Sequence, residues 1–315
     1  MIFSNLEFLE TLSNNKTENP SLEQYKAHFG TETKKRCHAS KRRSNMMLNP
    51  LNLKHLNRID ESPADMITLN LEDAIAPSRK KEALYNIAFF LSHMKESRSF
   101  LIVRTNPIDA GGAEEIAFLN DFGFDAIRIP KVTGQTEIAR ALTLLDPAKE
   151  LHISLETAEA FHSLTQLRID ERLTTANLGI LDLLGSLGLP QSIVEISNPA
   201  IDYILSKFLI DARSIGLLPV SFMFQDYRNT EAFRQWCLHE KRMGFTAKAC
   251  MGPAQVEIAN EVFDTDREEI RRAGEIKTLF ESHAARGIHG FMSESYGFID
   301  EPIYRDALIV LKNRL

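Results

Sequence analysis

The chain has 315 residues, enough to bury a large core as one barrel or as two smaller domains. Its 43% hydrophobic and 25% charged residues are those of an ordinary globular protein, and a formal charge of −6 argues against nucleic acid as a partner. No stretch approaches the roughly eighteen apolar residues of a membrane span, and the three cysteines are far apart with no Cys-x-x-Cys, which excludes a zinc site or disulfide framework as an expectation.

The first residues, Met1 to Glu7, lack a basic start followed by an apolar run, so the expectation is a cytoplasmic protein with no export signal. Residues 1–41 are polar and mixed, with a loop at Asn14–Pro20 between two short helical segments, and read as an N-terminal extension packed on the outside. The run Lys34, Lys35, Arg36, His38, Lys41, Arg42, Arg43 reads as a solvated basic face; a phosphate-bearing coenzyme A tail is its other reading.

From residue 42 to 264 a regular alternation follows. Short apolar or β-branched runs recur at Met46–Leu48, Met66–Leu71, Phe100–Val103, Ala126–Ile129, Leu151–Leu155, Asn177–Ile180, Leu217–Phe222 and Thr246–Cys250. Between them, Lys80–Lys95, Glu114–Asp121, Thr136–Leu145, Ala158–Leu167, Asn198–Ile215 and Thr230–Met243 carry apolar residues at helical spacing. Strand and helix units repeated this often predict a parallel sheet, most economically closed as a (β/α)8 TIM barrel. An open doubly wound sheet is the alternative, but no Gly-x-Gly-x-x-Gly follows an early strand. Residues 265–315 differ: a charged helix at Asp266–His283, a turn-rich stretch at Gly287–Gly297 and a last helix from Glu301 with Pro302 in its first turn predict a C-terminal helical lid or oligomer contact.

In such a barrel the chemistry lies where the strands stop. Asn49, Glu72, Asp73, Arg104, Asn106, Lys131, Glu156, Asp182 and Lys248 all fall there. Glu156 and Asp182 each end a short apolar run one strand and helix unit apart, so both can converge on one divalent cation; each is equally placed to cap a following helix. Arg104 directly continues Leu101-Ile102-Val103 and reads as the group that holds a metal-chelated 2-keto acid. Lys131 is as readily a solvated loop residue, Asp73 an ion-pair partner, and Lys248 an interior salt bridge.

Several segments, in collinear order from about residue 42 to 312, resemble the citrate lyase β-subunit-like branch of the HpcH/HpaI aldolase superfamily. They are Arg43-Ser44, Leu71-Glu72-Asp73-Ala74-Ile75-Ala76-Pro77 with Lys80, Val103-Arg104-Thr105-Asn106-Pro107, Ile129-Pro130-Lys131-Val132, Leu155-Glu156-Thr157-Ala158, Asp182, Met243-Gly244-Phe245-Thr246-Ala247-Lys248 with Pro253 and Gln255, Asn260-Glu261-Val262-Phe263 and Gly297-Phe298-Ile299-Asp300-Glu301-Pro302. The resemblance implies a TIM barrel that binds Mg²⁺ through Glu156 and Asp182. Arg104 and Arg43 orient the keto acid and stabilise an enolate, Glu72 and Lys131 line the substrate site, and Asp300 on the lid acts as acid/base from a neighbouring subunit of a homo-trimer or hexamer. The implied reaction cleaves malyl-, citramalyl- or citryl-thioesters to an acetyl thioester and a 2-keto acid, with coenzyme A or an acyl-carrier protein as carrier. The chain departs from the family pattern at Asn70 and Ser221, where the resemblance leads one to expect aspartate, at Ile180 and Gly252, and in the run Asn45–Pro50. Those departures leave open a free-acid aldolase of the same superfamily, or a catalytically reduced barrel used as a binding or assembly subunit.

Overall fold

β-Branched and aliphatic residues at alternate positions give eight short strands that pair side by side in parallel. They are β1 (Ser44–Leu48), β2 (Met66–Asn70), β3 (Phe100–Arg104), β4 (Ala126–Ile129), β5 (Glu150–Leu155), β6 (Leu173–Leu178), β7 (Leu218–Val220) and β8 (Lys248–Cys250). In the computed structural model, which describes residues 2–4, 6–7, 21–32 and 41–313, they lie in the order β7-β6-β5-β4-β3-β2-β1-β8. The circle is completed by a parallel bridge from Ser221 to Lys248, where the Ser221 N–H donates to Ala247 O (2.9 Å) and the Ala249 N–H to Ser221 O (3.0 Å). The expected barrel is therefore the fold. Cys37 and the basic residues from Lys34 to His38 lie outside the described residues.

The surrounding helices are α1 (Leu22–Lys26), α2 (Leu53–Leu56), α3 (Lys80–His93), α4 (Gly112–Leu119), α5 (Gln135–Leu144), α6 (Ala158–Ser163), α7 (Ile180–Ser186), α8 (Pro199–Ser214), α9 (Thr230–Met243) and α10 (Pro253–Val262). The outward strand residues, among them Ile67, Leu69, Leu101, Val103, Ile127, Ile153 and Leu155, pack with these helices as the main core. Met66, Phe100, Ile102, Ala126, Val220, Ala247 and Ala249 face inward and fill the barrel apolar-on-apolar. Nearer the carboxyl ends of the strands the interior turns polar: Asn45, Thr68, Arg128, Ser154 and Asn177 are buried there and bonded to one another.

One element falls elsewhere than its apolar pattern suggests. β6 is Leu173–Leu178, not Asn177–Ile180, and Gly179 already begins the turn into α7. Thr175 and Asn177 are the inward residues of β6, polar because the barrel is polar at that depth, so the strand carries no continuous apolar run to read. Asp182 consequently sits in the first turn of α7 rather than at a strand end.

Described residues of the N-terminal segment pack on α3. Ser21 and Gln24 form a reciprocal capping box on α1, Tyr25 is fully buried with its hydroxyl donating to Asn86 Oδ1 (2.7 Å), and Phe3 stacks on Phe89 with ring centroids 5.1 Å apart. The chain divides into two compact units, one up to Phe263 and one from Asp264. The second consists of α11 (Arg267–Ala284), an antiparallel hairpin of β9 (Gly290–Ser293) and β10 (Gly297–Asp300), and α12 (Glu301–Asn313), around a core of Ala273, Ile276, Phe280, Ile299 and Ala307. Among the described residues no helix is long and apolar enough to cross a membrane.

Candidate active site at the carboxyl ends of the strands

β2, β3, β4 and β5 each deliver a charged or amide side chain to the barrel mouth, and the register places them together. Asn70 pairs with Arg104, and Arg104 with Arg128, across neighbouring strands. Alternation turns all three inward, opposite to Leu69, Val103 and Ile127.

Asn70 organises the turn after β2. Its Oδ1 accepts from Arg104 Nε (2.7 Å) and from the Glu72 N–H (3.2 Å), while its Nδ2 donates to Asp73 O (2.6 Å). An aspartate in place of Asn70 would set a carboxylate oxygen against that carbonyl, which accounts for this departure from the family pattern. The turn passes through Ala74 at φ 70°.

Glu72 is 2% exposed, with Oε2 at 2.8 Å from an Arg104 Nη and Oε1 at 3.0 Å from Lys131 Nζ. Neither oxygen has an aligned hydrogen bond, so the cations hold it mainly by charge. Burial pushes its pKa up, but Arg104 and Lys131 outweigh that and keep it below the ordinary carboxylate range. Asp73, further out, is shifted the other way by its own burial and by Glu72.

Glu156 follows β5 directly and is 3% exposed. Its Oε1 accepts from the Lys131 N–H (2.7 Å), an amide aimed inward because Lys131 adopts φ 52°. Burial raises the Glu156 pKa against the pull of Arg128. Gly179 presses on the same side chain: a Cβ there would lie 2.7 Å from Glu156 Oε2 and 2.8 Å from its Cβ. Only glycine leaves that carboxylate its position at the start of α7. Asp182, in the next turn, is exposed.

Arg128 was not among the residues that the sequence singled out. Its guanidinium sits inside the barrel, 5% exposed, with Nε donating to Ser154 Oγ (2.8 Å) and Nη1 to Asn177 Oδ1 (3.4 Å). Burial, then the neighbouring Arg104, lowers its pKa to about 9. Its signal in the sequence is an arginine at the inward position of Ala126-Ile127-Arg128-Ile129, masked by the apolar character of the run.

Other candidates lie elsewhere. Arg43 precedes β1 and so stands at the amino end of the barrel, the end opposite Glu156. Its Nε and backbone N–H both donate to Asp65 Oδ2 (2.8 Å each), and Nη1 donates to Asn260 O (3.1 Å). The geometry takes Arg43 out of the mouth and makes it a clamp between β1, β2 and α10. Lys248 turns outward and pairs with Glu240 of α9 at 2.6 Å, both fully buried, with its ammonium 4.0 Å above the Phe222 ring. Asp300 belongs to the second unit, where its Oδ1 accepts from the Ile303 N–H (3.2 Å) in the first turn of α12.

Among the described residues no three His, Cys, Asp or Glu side chains converge. The donor set fits a hard divalent cation nonetheless: a buried carboxylate with one oxygen fixed by an amide, a glycine clearing space beside the other, and a second, solvent-facing carboxylate on the adjoining helix.

A parallel eight-stranded barrel with acids and guanidinium groups gathered at its carboxyl ends defines the class, an α/β-barrel of the enzyme type. A profile of the HpcH/HpaI aldolase/citrate lyase family matches residues 43–253, more than half of the chain, and the protein belongs to that family. It is 32% identical over 225 residues to a (3S)-malyl-CoA thioesterase of Cereibacter sphaeroides, covering 71% of this chain and 78% of the other. To an L-malyl-CoA/beta-methylmalyl-CoA lyase of the same species it is 27% identical over 256 residues, covering 72% and 80%. The structure of CitE from Mycobacterium tuberculosis in complex with magnesium, acetoacetate and coenzyme A superposes with a TM-score of 0.67 at 17% identity, covering 88% of this chain and 99% of the other.

Proposed function

We propose that the protein is a Mg²⁺-dependent carbon–carbon lyase that cleaves a short 3-hydroxyacyl-CoA of the malyl, citramalyl or citryl type to an acetyl thioester and a 2-keto acid. The observation that carries this reading is the buried Glu156 carboxylate, fixed by the Lys131 amide and given room by Gly179, beside the Arg104–Glu72 pair. The malyl-CoA lyase among the relatives and the magnesium and coenzyme A bound by the structural neighbour support it.

Mg²⁺ held by Glu156 and Asp182, with substrate and water completing its shell, would supply Lewis acidity to the substrate hydroxyl and carboxylate. Arg104, kept in place by Asn70 and Glu72, offers its guanidinium to the keto acid and to charge developing on the thioester enolate. Glu72 and Lys131 set the charge at that edge of the pocket. In the cleavage direction a water molecule takes the hydroxyl proton, the hydroxyl oxygen becomes the keto oxygen as the carbon–carbon bond breaks with its electron pair entering the thioester enolate, and a protonated Asp300 of a neighbouring subunit delivers its proton to the enolate carbon and is reprotonated from solvent. Met292, Phe298, Ile303 and Ile309 of the second unit are exposed apolar side chains, in keeping with a homo-trimer or hexamer that covers them.

The test is calorimetric titration of the Mg²⁺-loaded protein with pyruvate, glyoxylate and oxaloacetate, repeated on Glu156→Ala, followed by product analysis with malyl-CoA, citramalyl-CoA and citryl-CoA. Metal-dependent binding of an acid that the variant loses, with acetyl-CoA and the corresponding 2-keto acid as products, is the expected result. Free malate and coenzyme A would place the protein with the thioesterase relative, and no binding of any acid would overturn the reading.

A further inference from the structure

Arg104 and Arg128 occupy paired positions on neighbouring strands, and both turn into the barrel, yet they are not equivalent. Arg104 is neutralised by Glu72 at 2.8 Å. Arg128 is met by the neutral Ser154 and Asn177, and no carboxylate among the described residues lies within 4.0 Å of it. The surrounding amides orient it in turn: Asn177 Oδ1 also accepts from Asn45 Nδ2 (3.1 Å), and Asn45 Oδ1 accepts from Thr68 Oγ1 (2.8 Å). The barrel thus fixes the guanidinium plane through neutral groups and leaves its charge without a contacting anion.

Burying a cation without a contacting anion is costly, so a ligand that brings the counter-ion into contact recovers part of that cost. Glu156, two residues beyond Ser154, and Glu72 attract Arg128 from beyond ion-pair distance, but Glu72 is engaged by Arg104 and Lys131, and in the proposed function the Glu156 charge is engaged by the metal. Contact with the guanidinium is therefore left to the substrate. A guanidinium with free N–H groups takes a carboxylate bidentately.

We propose that Arg128 is a specificity-determining residue that binds a second carboxylate of the 2-keto acid, so that the site selects dicarboxylic over monocarboxylic keto acids. The inference rests on the lyase reading, in which the first carboxylate and the keto oxygen engage the metal and Arg104. It adds that the buried positive charge one strand across from Arg104 is met by the acid group that oxaloacetate has and that pyruvate and glyoxylate lack. The same charge disfavours an apolar keto-acid tail at that depth, since such a tail would leave Arg128 buried and unpaired.

The test titrates wild type, Arg128→Met and Arg128→Lys with oxaloacetate and with pyruvate in the presence of Mg²⁺. Thermal unfolding of each variant checks that it folds. Wild type is expected to prefer oxaloacetate by roughly tenfold or more, as for a site that hydrogen-bonds a group its competitor lacks. Arg128→Met is expected to erase that preference by weakening oxaloacetate alone, and Arg128→Lys, which keeps the charge but not the planar fork, to fall between. If Arg128→Met fails to fold, the lysine variant alone decides, by whether its oxaloacetate to pyruvate ratio drops. Equal losses for both acids, or a wild type that does not distinguish them, overturns the specificity role while leaving the lyase reading intact. Failure of wild type to bind either acid overturns the lyase reading itself.

Discussion

Single atoms at the mouth decide which residue types are admissible. Gly179 is there because of Glu156, and its backbone angles are ordinary ones. Gly179→Ala brings a methyl group against the Glu156 side chain near its root, where it cannot simply swing away, at a cost of about 1–3 kcal/mol in overpacking. The expected outcome is a folded protein whose Mg²⁺-dependent keto-acid affinity falls at least about tenfold, read by calorimetry, because the displaced carboxylate is the same one that would ligate the metal.

At the opposite end of the barrel, Glu150 shows how a charge is held when it serves only the fold. Arg42 donates to it through two nitrogens (2.9 and 2.8 Å), and the buried His152 ring, stacked on Phe100, approaches it at 3.3 Å. Burial would raise the Glu150 pKa, but His152 and Arg42 hold it well below the ordinary range. A carboxylate depressed on folding contributes stability above its unfolded pKa of about 4.3 and loses it as pH falls towards the folded value. Glu150→Gln is expected to cost roughly 1–2 kcal/mol at pH 7, discounted because about a quarter of each partner is exposed, and the gap from wild type should narrow below about pH 4 in urea titrations.

Between elements, the seam that closes the barrel rests on a buried charge pair. β8 sends Lys248 outward to Glu240 on α9, and Ser221 at the end of β7 donates its hydroxyl to the same Glu240 oxygen (2.7 Å). Position 221, where the family pattern carries an aspartate, thus holds a donor, and an aspartate there would face Glu240 with a like charge. Removing one partner strands the other, so Lys248→Met is expected to cost about 3–5 kcal/mol by denaturant unfolding. The double variant Lys248→Met, Glu240→Leu should recover much of that loss, since neither charge is then left without its partner.

For the molecule as a whole, the break after Phe263 separates two units, each with its own core. A chain ending at Phe263 is expected to keep a cooperative unfolding transition, followed by circular dichroism. Asp300→Ala in the full chain is expected to leave keto-acid binding within about threefold and to lower thioester cleavage by at least roughly a hundredfold, the scale of a lost general acid. Unimpaired cleavage would remove the proton-delivery role from Asp300.

The sequence by itself determined the barrel and most of its rim. Eight runs with helical segments between them permit few other layouts, and Glu72, Arg104, Lys131 and Glu156 could be found because each directly follows an apolar strand or a short turn after one. Only the tertiary structure decided the rest. β6 begins earlier than its apolar run suggests because the inward Asn177 answers to Arg128 on another strand, and Arg43 stands at the amino end rather than in the mouth, a placement that a motif does not specify. Lys248 faces α9 because alternation at β8 turns it there, and Arg128 stands without a carboxylate because of what Ser154 and Asn177, distant in sequence, do not supply. Local pattern sets where a strand runs; the charge balance inside a barrel is a sum over several strands, and it exists only once they are closed.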